Sequence, residues 1–131
     1  MEVYAAGPFT VESNFEPPFH QEDGVMLGRG TFSKSFQGDL VATSTVWMTY
    51  ARTPDPAVAS YVALEQITGT LCGKSGSFAV THQAHKTAED SELLITVVRG
   101  SGTGELKGLT GKMTIEIDAD GGHSYTFEGV L

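Results

Sequence analysis

Glu65, His82, His123 and Tyr125 are the residues of this chain whose types could do chemistry together: a carboxylate, two imidazoles and a phenol. They lie far apart in sequence, so only a shared side-chain direction can gather them. In the last segment Ser124, Thr126 and Glu128 alternate with His123, Tyr125 and Phe127, a period of two that marks a strand with one wet face. His123 and Tyr125 fall on its apolar face. Between residues 76 and 85, Phe78, Val80 and His82 share one side against Ser77, Thr81 and Gln83. Glu65 shares the side of Tyr61, Ala63 and Ile67, although Val62 and Leu64 make the opposite side equally apolar. A carboxylate held in an apolar interior has its pKa raised by desolvation, and a nearby imidazole completes an acid–base pair that works near neutral pH. Met48, Phe78 and Arg99 complete the candidate ligand-binding set: of Trp47 and Met48, on opposite faces of one strand, one must line the interior, Phe78 shares the face of His82, and Arg99 offers a cationic partner. The competing reading is that these polar groups only satisfy one another inside a packed core.

Other motifs point away from catalysis. Residues 100–111 read GSGTGELKGLTG, but a dinucleotide fingerprint needs a third glycine where Glu105 stands, and the chain runs on into a turn and a strand, with no helix to hold a phosphate. Residues 69–75, GTLCGKS, have three residues between glycines where a Walker loop needs four. Both stretches are read as turns. His82 and His85 are an odd number of residues apart on a strand, so their rings point to opposite sides and cannot share one ion; no metal and no cofactor is expected. Cys72, at a turn with no evident histidine partner, is read as an ordinary free thiol. His20 is read as solvated, and Lys34, between Phe32 and Phe36 on one face, either as a ligand contact at the mouth of a barrel or, the commoner case, as a surface side chain that snorkels.

The elements that must position these residues are strands. Segments 2–16, 28–36, 43–52, 57–71, 76–85, 92–99, 112–118 and 123–131 are β-like, separated by Gly, Pro and Asp turns, and no stretch has the periodicity of an amphipathic helix. The residues Ala119-Asp120-Gly121-Gly122 suit a tight hairpin. Eight antiparallel strands leave two open edges unless the sheet closes, so the predicted fold is all-β, an eight-stranded antiparallel closed β-barrel forming one domain over residues 1–131. Such a barrel is just wide enough inside for packed side chains or one small ligand.

A net charge of −8 spread along 131 residues repels phosphate backbones, which makes nucleic acid an unsuitable partner. One cysteine allows no internal disulfide, no apolar run is long enough to cross a bilayer, and the first residues lack a secretory pattern; a cytoplasmic location is expected, with no membrane partner. Glu92 to Arg99 is apolar on both faces, which suits a strand covered on both sides or a contact in a homo-oligomer.

The segments KSFQGDL from Lys34, YVALE from Tyr61, GTL from Gly69, GSFAVTH from Gly76, GSGTGEL from Gly100 and HSY from His123 resemble a bacterial family of unknown function, whose fold is similar to the allene oxide cyclase barrel, a calycin-like architecture. That resemblance implies an eight-stranded barrel and no activity. Allene oxide cyclases hold a fatty epoxide inside the barrel and use a buried glutamate without a cofactor; none of their residues aligns here, and Glu65 is a candidate by side-chain direction alone. Three functions suit such a chain. The barrel binds a small, largely apolar molecule; or it is a cofactor-free isomerase, cyclase or lyase with Glu65 or a histidine as base and Tyr125 polarising an oxygen; or it is filled and acts through its outer surface.

Overall fold

The alternation of wet and apolar residues is realised in nine strands. A computed structural model describing residues 1–131 places them as β1 (Glu2–Phe15), β2 (His20–Glu22), β3 (Val25–Phe36), β4 (Leu40–Arg52), β5 (Ala59–Leu71), β6 (Lys74–Lys86), β7 (Ser91–Val97), β8 (Thr110–Ile117) and β9 (His123–Val130). The only helical element is a single 3-10 turn at Gly104–Leu106, and no helix is long and apolar enough to cross a membrane.

Strands β3 to β9 form an antiparallel meander, and β1 closes it, pairing with β9 over Glu2–Phe9 and with β3 over Phe9–Phe15. The result is the closed eight-stranded barrel that the alternation predicts, with β2 as an added three-residue ribbon on β3. Closure removes the free edges that an open sheet of this size would expose. Tight turns carry the meander. Cys72 and Gly73, with φ of 49° and 83°, join β5 to β6, and Asp23 and Gly24, at 54° and 82°, join β2 to β3. Two successive left-handed residues give the turn whose twist matches that of the flanking strands.

Register stacks the inward side chains in rows. From rim to depth, Arg52, Ala59, Lys86 and Ser91 form the first row; Tyr50, Tyr61, Ala84 and Leu93 the second. Met48, Ala63, His82 and Ile95 form the third, and Val46, Glu65, Val80 and Val97 the fourth. Below them the barrel is filled by Phe36, Leu40, Ile67, Leu71, Phe78, Met113, Tyr125 and Phe127, all at most 2 % exposed.

The glycine-rich loop turns the chain, as its sequence suggests, and also closes the filled end. Leu106 and Leu109 are buried in the core from it. β7 pairs only with Val80–Lys86 of β6, and the loop takes its place beside the rest. The amides of Ser75, Ser77 and Ala79 donate to Glu105 Oε1 (3.1 Å), Thr103 Oγ1 (3.0 Å) and Ser101 Oγ (3.0 Å), a ladder with the two-residue period of a strand. Glycine is required where Gly76 meets this loop, because a Cβ there would run into the Thr103 carbonyl.

One expectation is corrected, and one apolar residue lies outside the core. The strand read over Glu92–Arg99 ends at Val97, since Gly100 takes φ of 84° and turns the chain, and Arg99 is exposed. Ile117, on the apolar side of β8, is 66 % exposed because it reaches the open rim.

Candidate functional site

Glu65 is the hub of a buried polar cluster halfway down the barrel. Its Oε1 receives His82 Nε2 at 2.7 Å and Lys34 Nζ at 3.3 Å, and its Oε2 accepts the Ser44 hydroxyl at 2.6 Å. The side chains of Glu65, His82 and Lys34 are 0 %, 3 % and 7 % exposed. Each arrives from a different strand: Lys34 from β3, Ser44 from β4, Glu65 from β5 and His82 from β6. Alternation sends all four inward. Lys34 Nζ also lies 5.1 Å from the Phe9 ring centroid and 5.8 Å from that of Phe36, so two aromatic faces help hold its charge out of water.

The direction of the Glu65 pKa corrects the expectation drawn from burial alone. Desolvation pushes it up, but the hydrogen bond from His82, the charge of Lys34 and the hydrogen bond from Ser44 together outweigh that push. The carboxyl lies below its ordinary value of 4.5 and is ionised. An ionised carboxylate only accepts, so His82 Nε2 must carry the proton it shares. In the neutral ring Nδ1 is then a bare acceptor. It is buried and has no hydrogen-bond partner. Tyr61, one row nearer the rim, holds its ring 6.3 Å from that of His82; burial, and then the charge of Glu65, push its phenol pKa up.

Above the cluster the barrel is open. A cavity of about 480 Å³ occupies its mouth, with Phe15, Met48, Tyr50, Tyr61, Leu93 and Ile117 among its walls. The glycine of β3 opposite Tyr50 has a spatial reason: a Cβ on Gly28 would occupy the position of the Tyr50 ring. A larger groove of about 740 Å³ crosses the outer wall over Trp47, Val62 and Leu64. The groove also borders Met48, Ala63 and His82 of the inward rows, but Trp47, Thr49, Val62, Leu64, Thr81 and Gln83 alternate with these on the outer face. The mouth is the better candidate because it opens along the inward rows and reaches Tyr61, one row above His82.

The candidate residues separate by depth. Glu65 and His82 meet, and Met48 lines the mouth while Trp47 faces outward, 55 % exposed. Tyr125 points inward but at the filled end: its hydroxyl accepts the Leu40 amide (2.8 Å) and donates to the Gln37 carbonyl (2.6 Å), so it fastens the β3–β4 turn and does not face the cluster. His123 packs its half-buried ring 5.2 Å from Phe9. Phe78 lies in the filled core, 6.1 Å from Phe127. Arg99 is exposed beyond the end of β7 and joins nothing in the interior. His85, on the outer side from His82, is exposed and lies 3.5 Å from Glu92.

Lys34, Ser44 and Tyr61 are the members of the site that sequence reasoning missed. For Lys34 the signal was present, since it shares the face of Phe32 and Phe36; it lies in the interior against Glu65 and does not snorkel to the surface. Nothing in sequence marks Ser44.

Residues 5–128 match the model of a family described as a protein of unknown function, DUF3224. Among solved structures, the chain is similar to a protein of unknown function of that family from Shewanella oneidensis. The two share 39 % identity and a TM-score of 0.92, over 100 % of this chain and 98 % of the other. No curated protein matches the chain.

Proposed function

Since the chain belongs to the DUF3224 family, whose function is unknown, we propose from the site itself that the barrel mouth binds one small, largely apolar molecule. The observation that carries this reading is the cavity of about 480 Å³, whose walls include Phe15, Met48, Tyr50, Tyr61 and Leu93 together with polar residues nearer the rim, and which reaches Tyr61 one row above His82. Its volume lies within the range of small-molecule sites, and a lining mostly of apolar and aromatic side chains with polar groups to fix orientation is the usual composition of such sites. The apolar body lies against Phe15, Met48, Tyr50 and Leu93, and the Tyr61 hydroxyl meets a polar atom.

A neutral apolar fluorophore, phenylnaphthylamine, tests the reading. Saturable emission enhancement at one probe per chain is expected, abolished by Ala84→Trp, which fills the mouth. Absence of saturation, or enhancement that survives Ala84→Trp, would overturn it.

One observation favours a second reading, a cofactor-free isomerase, cyclase or lyase. The ionised Glu65 holds His82 with Nδ1 free, the arrangement in which a carboxylate orients an imidazole as general base. Similarity to the allene oxide cyclase barrel belongs to this second proposal; a buried glutamate inside a closed eight-stranded barrel supports it. In any assay that shows turnover, His82→Gln should abolish it, and an unchanged rate would remove His82 from the chemistry.

A further inference from the structure

We infer that the molecule taken by the mouth is an organic anion, with its apolar body inside and its charged head at the rim between Arg52 and Lys86. The inference rests on the binding reading above and adds the chemical class of the ligand. Arg52 ends β4 and Lys86 ends β6, and both pair in register with Ala59 of β5, so the two cations flank one small residue in the outermost inward row. Two strand spacings separate their backbones by about 10 Å, a gap that two long side chains can close around one head group. Both line the mouth cavity. The Arg52 guanidinium sits 5.5 Å from the Tyr50 ring centroid, which holds it against the aromatic wall of that cavity.

The neighbouring acids leave these cations available. Asp55 accepts the Ala57 amide, Asp90 accepts the Ser91 amide, and Glu92, which also borders the mouth, lies beside His85 at 3.5 Å and not beside either cation. Neither Arg52 nor Lys86 forms an ion pair, in a chain with 16 acidic residues against 8 basic ones. Other cations are also unpaired, but Lys74, Arg99, Lys107 and Lys112 do not line the mouth. A chain of net charge −8 repels anions at long range, so two cations without an ion-pair partner on the rim of the mouth cavity give local attraction where the field elsewhere is unfavourable. They also orient the ligand, because the interior offers the apolar body a wall and the rim offers the head its counter-charge. Arg supplies a planar fork suited to carboxylate, sulfonate or phosphate oxygens, and Lys a point charge.

The test compares two fluorophores with one apolar skeleton, anilinonaphthalene sulfonate and the uncharged phenylnaphthylamine, on the full chain. The sulfonate is expected to bind about tenfold more tightly, equivalent to about 1.4 kcal/mol. Arg52→Gln combined with Lys86→Gln should remove that advantage, so that the sulfonate then binds no more tightly than the neutral probe. Both positions are exposed, so the fold should survive the change. Lys107→Gln with Lys112→Gln alters net charge equally and should leave both probes unaffected. If the neutral probe binds but the sulfonate gains nothing, or loses nothing in the Arg52 and Lys86 variant, or loses as much in the Lys107 and Lys112 variant, the inference is overturned and the binding reading stands. If neither probe saturates, both are overturned.

Discussion

Lys34 and Glu65 form an ion pair inside the barrel, 3.3 Å apart, with only one of the three partners of the carboxylate being a fixed cation. The pair is asymmetric. Removing Glu65 strips Lys34, His82 and Ser44 of their common acceptor, whereas removing Lys34 leaves the carboxylate with two donors. Breaking a buried pair at one end costs about 3–5 kcal/mol, because the remaining charge is uncompensated. Glu65→Gln is therefore expected to lose about 3 kcal/mol or more of unfolding free energy, and Lys34→Met distinctly less, in urea titrations. A larger loss for Lys34→Met would mean that the carboxylate is not the hub.

The same cluster sets an acid limit on stability. The folded pKa of Glu65 lies below its ordinary value of 4.5, so the unfolded chain takes up the proton first as pH falls. Its contribution is fully present above about pH 4.5 and is lost as pH descends from there through the lower folded pKa. The stability gap between the wild type and Glu65→Gln should accordingly shrink as pH falls below about 4.5. Unfolding free energies measured across that range check it; a gap that widens in acid would reverse the assigned direction.

Tyr125 shares the inward direction of the site residues, but its hydrogen bonds predict a different phenotype. Tyr125→Phe leaves the Leu40 amide and the Gln37 carbonyl without their partner at the filled end. An unsatisfied buried group costs about 1–3 kcal/mol, and the melting temperature should fall accordingly. Affinity for phenylnaphthylamine should not change, because the mouth lies several rows away. A large loss of probe affinity at unchanged stability would return Tyr125 to the site.

The contrast between Tyr125 and Lys34 shows what was legible. A period of two assigns each side chain to the inner or outer face, and it places Glu65, His82, His123 and Tyr125 inward. It carries no information on height along the barrel axis. Height depends on the stagger between strands remote in sequence, such as β1 bridging β9 and β3, which no local pattern encodes. Hence Glu65 and His82 meet while Tyr125 and Phe78 lie deeper among core residues. Lys34 was legible by alternation and misread because a buried lysine is rare without a partner, and its partner lies 31 residues away. Arg99 failed for a local reason, the positive φ of Gly100 ending the strand early.

The glycine-rich loop yields the last prediction. Ser101, Thr103 and Glu105 present oxygens to alternate amides of β6, so their side chains replace the hydrogen bonds of a missing strand. Thr103→Val keeps the shape and removes the acceptor of the Ser77 amide, while the backbone bond from the Thr103 amide to the Ser77 carbonyl remains. The loop should thus stay docked, with Leu106 and Leu109 still plugging the barrel. The bond from the Ser77 hydroxyl to the same oxygen is lost as well, and loss of the acceptor of the Ser77 amide, worth about 1 kcal/mol or more, should speed its local exchange by roughly fivefold or more. Exchange at Val80, which lies beyond the loop and pairs with Val97 of β7, should be unchanged. Hydrogen exchange resolved to single amides makes the comparison. Equal acceleration at both sites would show that the loop holds the whole end of the barrel through Thr103, and unchanged exchange at Ser77 would show that the side-chain ladder contributes nothing.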